Sequence, residues 1–204
     1  MILTLSNVSK SFGKQAVLKN LSLEVANGEF VAVLGSSGSG KTTLLRLIAG
    51  FDQPDSGQIE IANKLVASEK TFVGAESRKV GYVPQDAALF PHLSVFENVA
   101  FGLKGFSKSA RADRVRELLK LVSMEAFENK GATELSGGQK HRIALARALA
   151  PEPELILLDE PFAALDAELR ARIREEMKAV LDKVACTTIL VTHDQEEALS
   201  IADR

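Results

Sequence analysis

Tryptophan is absent from this 204-residue chain, tyrosine and cysteine occur once each, and neither sign of charge is in excess: 25 basic side chains stand against 27 acidic ones, a net charge of -2. Such a balance gives no electrostatic reason for tight nucleic-acid binding, which needs an excess of Lys and Arg over phosphate, so no nucleic-acid partner is expected. The lone Cys186 excludes an intrachain disulfide, fits a reducing cytoplasm and reads as a small buried hydrophobe. No apolar run approaches the ~20 residues that span a bilayer. The opening Met1-Ile2-Leu3-Thr4-Leu5-Ser6 lacks the charged and long apolar regions of a signal peptide. What is present is 46% hydrophobic residues, enough for one real core, so a single domain over 1–204 with an inserted subdomain is expected.

Leu3 and Leu5, then Leu21, Leu23 and Val25, alternate with polar residues as half-buried antiparallel strands do, with Gly13-Lys14 and Asn27-Gly28 as turn signals. Phe30-Val31-Ala32-Val33-Leu34 is a continuous apolar run into Gly35. Leu44, Leu45, Leu47 and Ile48 then follow at helical spacing up to Gly50, which reads as strand, loop, helix. Ile59 and Ile61 alternate again, and 79–84 forms another short strand. From 85 to about 153 the pattern is helical, with Val115, Leu118, Leu119 and Val122 on one apolar stripe. Strand signals return at Leu155-Ile156-Leu157-Leu158 and Thr187-Thr188-Ile189-Leu190-Val191, on either side of a helix carrying Leu169, Ile173, Met177 and Leu181. Alternating strand and helix predicts an α/β fold with a mainly parallel sheet. The expected plan is an α/β core of 1–85 and 154–204, with an N-terminal antiparallel β subdomain, and an inserted helical subdomain at 86–153.

Gly35-Ser36-Ser37-Gly38-Ser39-Gly40-Lys41-Thr42 fits G-x-x-x-x-G-K-[ST] and lies between a buried strand and a helix, where the mechanism needs it. Its glycines let backbone N–H groups close on phosphates, the helix N-terminus adds favourable dipole charge, Lys41 reaches the β- and γ-phosphates, and Thr42 can ligate Mg²⁺. Thr43 follows as part of the same binding stretch, and a P-loop NTPase core is expected. Asp159, ending the 155–158 run, would hold Mg²⁺. Glu160, one residue on, is placed to polarise water attacking the γ-phosphate, although a strand-end cap also accounts for it. His193 follows the next apolar strand and so emerges at the same carboxyl edge, where ligands of open α/β sheets gather. His92, in a Phe90-Pro91 turn, and His141, on a helix, lack that placement and read as structural. Gln85, where the helical part begins, can accept from water or Mg²⁺, and it fits a plain loop amide equally well. Phe12 is suited to stacking on adenine, while an isolated aromatic is more often core.

Leu135-Ser136-Gly137-Gly138-Gln139 fits a capping box, with Ser136 as N-cap and Gln139 three residues on. Capping does not need two glycines, each of which weakens a first turn by up to about 1 kcal/mol relative to alanine. Something must therefore approach that backbone closely. Bare N–H groups and a serine hydroxyl make an anion site, and a merely flexible helix start is the plainer alternative.

In this order, the phosphate loop, Gln85, the 135–139 string, Asp159-Glu160, Ala164-Leu165-Asp166 and His193 closely resemble the ATPase subunits of ABC transporters, and the match spans almost the whole chain. The resemblance implies a second copy of the chain as partner, paired head to tail, each ATP lying between one subunit's phosphate loop and the other's Ser136, Gly137, Gly138 and Gln139. It casts Phe12 as the adenine-stacking aromatic, Asp159 as the Mg²⁺ carboxylate with Thr42 and Gln85, Glu160 as general base, His193 as γ-phosphate sensor, and Asp166 as a residue of the dimer junction. ATP and Mg²⁺ are the implied cofactors. Gln85 and 86–98 would face an integral-membrane permease, with Leu89, Phe90, Leu93, Val95 and Phe96 available for an apolar docking groove.

The strings at 50–57, 89–99 and 150–153 look like bacterial importers, particularly of ferric-ion type, and sulfate, polyamine and thiamine importers share much of this. Such a subunit would sit peripherally on the cytoplasmic face of the inner membrane and serve a solute-binding protein indirectly. Departures from the usual pattern are Phe12 for tyrosine, Lys140-His141 for a pair of glutamines, and Ala163-Ala164 where the pattern often ends in serine. The sequence stops at Asp203-Arg204, where relatives normally continue, so the C-terminal end of the usual domain is expected to be missing. The rival readings are a soluble ABC-type ATPase acting on nucleic acid or in translation, and an ATP-binding module without useful hydrolysis.

Overall fold

Short apolar runs and glycine stops divide the chain into eight strands and six helices among the described residues. The computed structural model describes residues 1–163 and 165–204 and, of Ala167, the backbone alone; Ala164 of the Ala164-Leu165-Asp166 string lies outside the described residues. In chain order the first half holds β1 (Leu3–Phe12), β2 (Gln15–Val25), β3 (Phe30–Leu34), α1 (Lys41–Ala49), β4 (Ser56–Ile61), β5 (Lys64–Ala67) and β6 (Val80–Val83). The second holds α2 (Val95–Ala100), α3 (Lys108–Leu121), α4 (Gly137–Leu149), β7 (Leu155–Asp159), α5 (Ala167–Val184), β8 (Thr187–Thr192) and α6 (Gln195–Ile201). Two four-stranded sheets result, ordered β2-β1-β4-β5 and β3-β8-β7-β6. The first is antiparallel, and the pairs β3–β8 and β7–β8 of the second are parallel.

The chain divides into two compact units, Met1–Tyr82 with Glu154–Asp159 and Cys186–Arg204, and Val83–Pro153 with Glu160–Ala185. The stretch expected to run unbroken in the α/β core from 154 to 204 is thus split, and α5 groups with the helices. The physical reason is close packing inside the second unit. A Cβ on Gly138 of α4 would stand 3.2 Å from Ile173 Cδ1 of α5, and Arg142 of α4 pairs with Glu176 of α5.

In the first unit, Leu3, Leu5 and Ile59 of the antiparallel sheet, Leu45, Leu47 and Ile48 of α1, and Leu155, Leu157, Ile189 and Val191 of the parallel sheet form one buried cluster. Each such side chain contributes about 1.5–3 kcal/mol of burial free energy before entropy is counted. β8 is buried along its whole length, so its threonines must be satisfied inside. The Thr187 hydroxyl accepts from Gly28 N–H at 2.8 Å, and that of Thr188 donates to Cys186 O at 3.1 Å. Gly50 ends α1 at φ +88°, the left-handed stop that its sequence position suggested.

In the second unit, α3 buries Val115, Leu118 and Leu119, and Val122 at its C-cap is buried too, so the expected stripe holds. Ser94 and Glu97 cap α2 reciprocally. Asn98, fully buried, binds the preceding loop: its Oδ1 accepts from Phe90 N–H at 2.8 Å, and its Nδ2 donates to the carbonyls of Phe90, Leu93 and Ser94. Val95 is 0% exposed and belongs to the core beneath, so the proposed docking groove loses it; Leu89, Phe90, Leu93 and Phe96 are half-buried. Among the described residues no helix is long and apolar enough to cross a membrane.

Candidate functional site

The phosphate loop closes the gap between β3 and α1. Gly40 occupies the N-cap of α1 at φ +95°, where a Cβ would stand 2.9 Å from Val17 Cγ1 and 3.1 Å from the Val17 carbonyl, so only glycine fits. No side chain caps α1, which leaves its first-turn N–H groups to be met by something other than the protein's own capping residue. Ser36, Ser37, Gly38 and Ser39 are exposed around that opening, Gly35 is half-buried, and Gly38 also has a left-handed φ of +79°. Lys41 is 7% exposed and donates from Nζ to the carbonyls of Gly35 at 2.8 Å and Ser36 at 3.0 Å, folded onto the loop it belongs to.

The first residue beyond Lys41 faces a carboxylate. Thr42 Oγ1 donates to Asp159 Oδ1 at 3.1 Å, while Tyr82 Oη donates to Asp159 Oδ2 at 2.8 Å. Asp159 is 5% exposed at the end of β7, and Phe51 meets the Tyr82 ring edge-on at 5.5 Å between centroids. A hydroxyl and a carboxylate are hard oxygen donors, and their closeness beside the loop fits Mg²⁺. Thr43, half-buried, follows on α1. His193 comes directly after β8, and strand register explains its position: Leu34 pairs with Thr192 and Asp159 with Val191, so the phosphate loop, Asp159 and His193 leave one sheet edge together. The turn carrying His193 is braced, since Thr192 Oγ1 donates to the buried Glu197 at 2.5 Å and accepts from Asp194 N–H at 3.0 Å. Phe12 is 52% exposed at the end of β1, with Lys10 Nζ 5.6 Å from its ring centre; it is a surface ring and not a core one.

The other expected residues lie in the second unit. Glu160 is the residue after Asp159 in the chain, half-buried, with φ +45°, a strained backbone for a side chain of its size. Gln85 is exposed. Ser136 caps α4 as its sequence predicts: its Oγ accepts from Gln139 N–H at 3.4 Å, and Gln139 Oε1 accepts from Ser136 N–H at 2.9 Å. Ser136 and Gly137 are exposed, Gly138 is buried against α5 and Gln139 is half-buried. Asp166 caps α5, its Oδ1 accepting from Leu169 N–H at 3.0 Å. Arg147 of α4 donates to the carbonyls of Ala88 at 2.7 Å and Ala87 at 3.0 Å, and burial pushes its guanidinium below the ordinary arginine range despite the opposing charge of Asp86.

Two residues escaped the sequence reading, Tyr82 on Asp159 and Glu197, which takes the Thr192 hydroxyl beside His193; His141, read there as structural, is buried with its ring against the carbonyls of Gly137 and Gln85. Tyr82 offered only its place on an alternating strand.

Over residues 18–163 the chain matches the family described as ABC transporter. It is 53% identical over 204 residues to the Fe(3+) ions import ATP-binding protein FbpC 2 of Pectobacterium atrosepticum, covering 100% of this chain and 59% of that protein. It is 50% identical over 210 residues to the sulfate/thiosulfate import ATP-binding protein CysA of Caulobacter vibrioides, covering 100% and 61%. The chain thus spans about three fifths of the length of the curated relatives it matches. Among solved structures, cbiO1 from Clostridium perfringens, part of the ABC transporter complex cbiONQ, superposes with a TM-score of 0.88 at 31% identity, covering 99% of this chain and 82% of that one. The ATP-binding cassette MJ0796, solved as a dimer in a post-hydrolysis state bound to ADP and Pi, does so with a TM-score of 0.80 at 36% identity, covering 96% and 90%.

Proposed function

The chain belongs to the ABC transporter family, and from that premise we propose that it is the ATP-binding and ATP-hydrolysing part of an importer. The observation that carries the reading is the uncapped N-terminus of α1 behind a glycine loop, with Lys41 folded against it and Thr42 touching Asp159. Phosphate is the group that answers all of these. Its oxygens accept from the first-turn N–H groups, and its charge draws Lys41 off the carbonyls of Gly35 and Ser36. Thr42 and Asp159 would hold Mg²⁺, which when bound neutralises charge developing between the β- and γ-phosphates. Gln85 is the further oxygen donor offered to that ion. Glu160 orients and polarises the attacking water, and His193 contacts the γ-phosphate. Phe12, an exposed ring, takes the adenine face.

Pairing completes the site. Ser136, Gly137, Gly138 and Gln139 of one copy meet the ATP held by the other, Asp166 lies at the junction, closure follows ATP binding, and hydrolysis reopens the pair. The dimeric MJ0796 structure and the part cbiO1 plays in a transporter complex support this arrangement. Gln85 and the segment after it face a permease at the cytoplasmic side of the membrane, with a solute-binding protein serving that permease. Ferric iron is the cargo we assign first, on the 53% identity to the ferric importer protein, and uptake of labelled sulfate instead of iron by the reconstituted transporter would replace it.

Two variants test the chemistry. Glu160→Gln should bind Mg·ATP as the wild type does and release no phosphate in steady state, whereas Lys41→Ala should lose ATP binding itself. Full turnover by Glu160→Gln would remove Glu160 from the role of base, and unchanged ATP affinity in Lys41→Ala would remove the loop from phosphate binding.

A further inference from the structure

The ring of His141 faces two carbonyls that belong to different functional segments. Its Nδ1 lies 3.0 Å from Gly137 O in the first turn of α4, and its Nε2 lies 3.1 Å from Gln85 O. The residue is 3% exposed, so water does not compete for either contact. A carbonyl oxygen only accepts, and the ring must therefore supply the protons: a neutral imidazole has one to give and the imidazolium has two. Six residues further along α4, Arg147 donates to the carbonyls of Ala87 and Ala88. Both alanines hold left-handed backbones, at φ +61° and +38°, conformations that a side-chain-bearing residue keeps only under restraint. One helix thus grips the Gln85 segment at three carbonyls, and His141 is the grip that also touches the signature turn.

We infer that His141 is a positioning residue that couples the backbone of Gln85 to the Ser136-Gly137 turn, so that displacement of either segment is transmitted to the other through one imidazole. The inference rests on reading Gln85 and Ser136 as nucleotide-facing residues, as argued above. What it adds is the physical link between them, inside one unit of one chain. A glutamine amide has no ring but retains donor hydrogens for a carbonyl. Replacement of the ring by glutamine should therefore preserve the link, and replacement by an apolar side chain should cut it.

The test uses the chain without nucleotide first. Backbone amide exchange across Gln85, Asp86, Ala87 and Ala88 is measured in wild type, His141→Leu, His141→Gln and the neighbouring control Lys140→Ala. His141→Leu fills the space without a donor and should raise exchange there about tenfold, the equivalent of one hydrogen bond lost, while His141→Gln and Lys140→Ala stay within about twofold of wild type. His141→Met is the second donor-free variant should the leucine protein fail to fold. Steady-state ATPase then adds a readout that loosened packing alone would not give: kcat should fall about tenfold in His141→Leu with KM for ATP within about twofold, and His141→Gln should recover it. Unchanged exchange across these four residues, an unchanged kcat in the donor-free variant, or a glutamine variant as impaired as the leucine one would overturn the inference. A wild-type chain with no turnover at all would count against the ATPase reading, and the exchange measurement would then decide the coupling alone.

Discussion

Arg78 carries its guanidinium into the interior, 3% exposed, and spends its donors on backbone carbonyls: Val73 and Leu47 at 2.6 Å, Ile48 at 3.0 Å and Val66 at 3.3 Å. Leu47 and Ile48 lie in the last turn of α1, whose carbonyls have no partner within the helix and favour a cation. Burial pushes Arg78 down to about 10, which leaves it charged at neutral pH. Arg78→Ala should cost about 3 kcal/mol in urea unfolding, because those oxygens lose their donors inside the core; a change under about 0.5 kcal/mol would mean that water replaces the guanidinium freely. Cys186, expected to be a small buried hydrophobe, is only half-buried. Burial alone pushes its thiol from 9.0 up to about 11. Alkylation runs through the thiolate, so at pH 8 iodoacetamide should react about 100-fold more slowly with the folded chain than with the unfolded one, the rate rising as pH approaches 11. Equal rates at pH 8 would contradict the shift. At this scale the sequence displays Lys41, Thr42 and Asp159 because strand, loop and helix follow one another in the chain. Tyr82 is invisible in it, since its hydroxyl reaches Asp159 only after β6 takes its place in the sheet beside β7, 77 positions away along the chain.

Element by element, period was a good guide where runs were long. The β1–β2 hairpin, β3, α1, α3, β7, α5 and β8 follow from alternation, continuous apolar runs or helical spacing. β5, with four residues, and α6, with seven, are too short to show a period, and the sequence reading passed over both. The grouping of α5 with the helices was illegible for another reason: it depends on α4 and α5 meeting at Gly138, which no local pattern announces. That contact divides the two signature glycines. Gly138 is packed closely by the chain itself, since a Cβ there would stand 3.2 Å from Ile173 Cδ1 and 3.6 Å from Leu169 Cδ1 and the isoleucine tip would have to give, and the larger Gly138→Val should cost about 2 kcal/mol through overpacking. A Cβ on Gly137 meets only Leu165, at an ordinary 3.6 Å. Gly137→Ala should therefore be neutral or stabilising by up to about 1 kcal/mol in thermal unfolding and yet lose ATP hydrolysis if, as proposed, a nucleotide held by a second copy approaches Gly137. A destabilised Gly137→Ala, or one with full turnover, would return the residue to a structural role.

For the whole molecule, the proposed pairing has one chain's phosphate loop and its 136–139 turn serving different nucleotides. Ser136 already spends its hydroxyl as acceptor for Gln139 N–H, which makes α4 a preformed, exposed helix start that needs no ligand to hold its shape. Two lesions on opposite sides of a head-to-tail pair must then complement each other. Lys41→Ala spoils a chain's own loop and leaves its signature intact, while Ser136→Arg does the reverse and should still bind Mg·ATP as a monomer. Each variant alone has no intact composite site. In an equal mixture half of the pairs are mixed, and half of the sites in a mixed pair join an intact loop to an intact signature, so about one quarter of wild-type turnover should return. The recovered rate should also fall off steeply on dilution, because it requires association of two different chains. Absence of recovery at every mixing ratio, with both variants folded and Ser136→Arg binding Mg·ATP, would mean that the signature turn does not complete a neighbour's site.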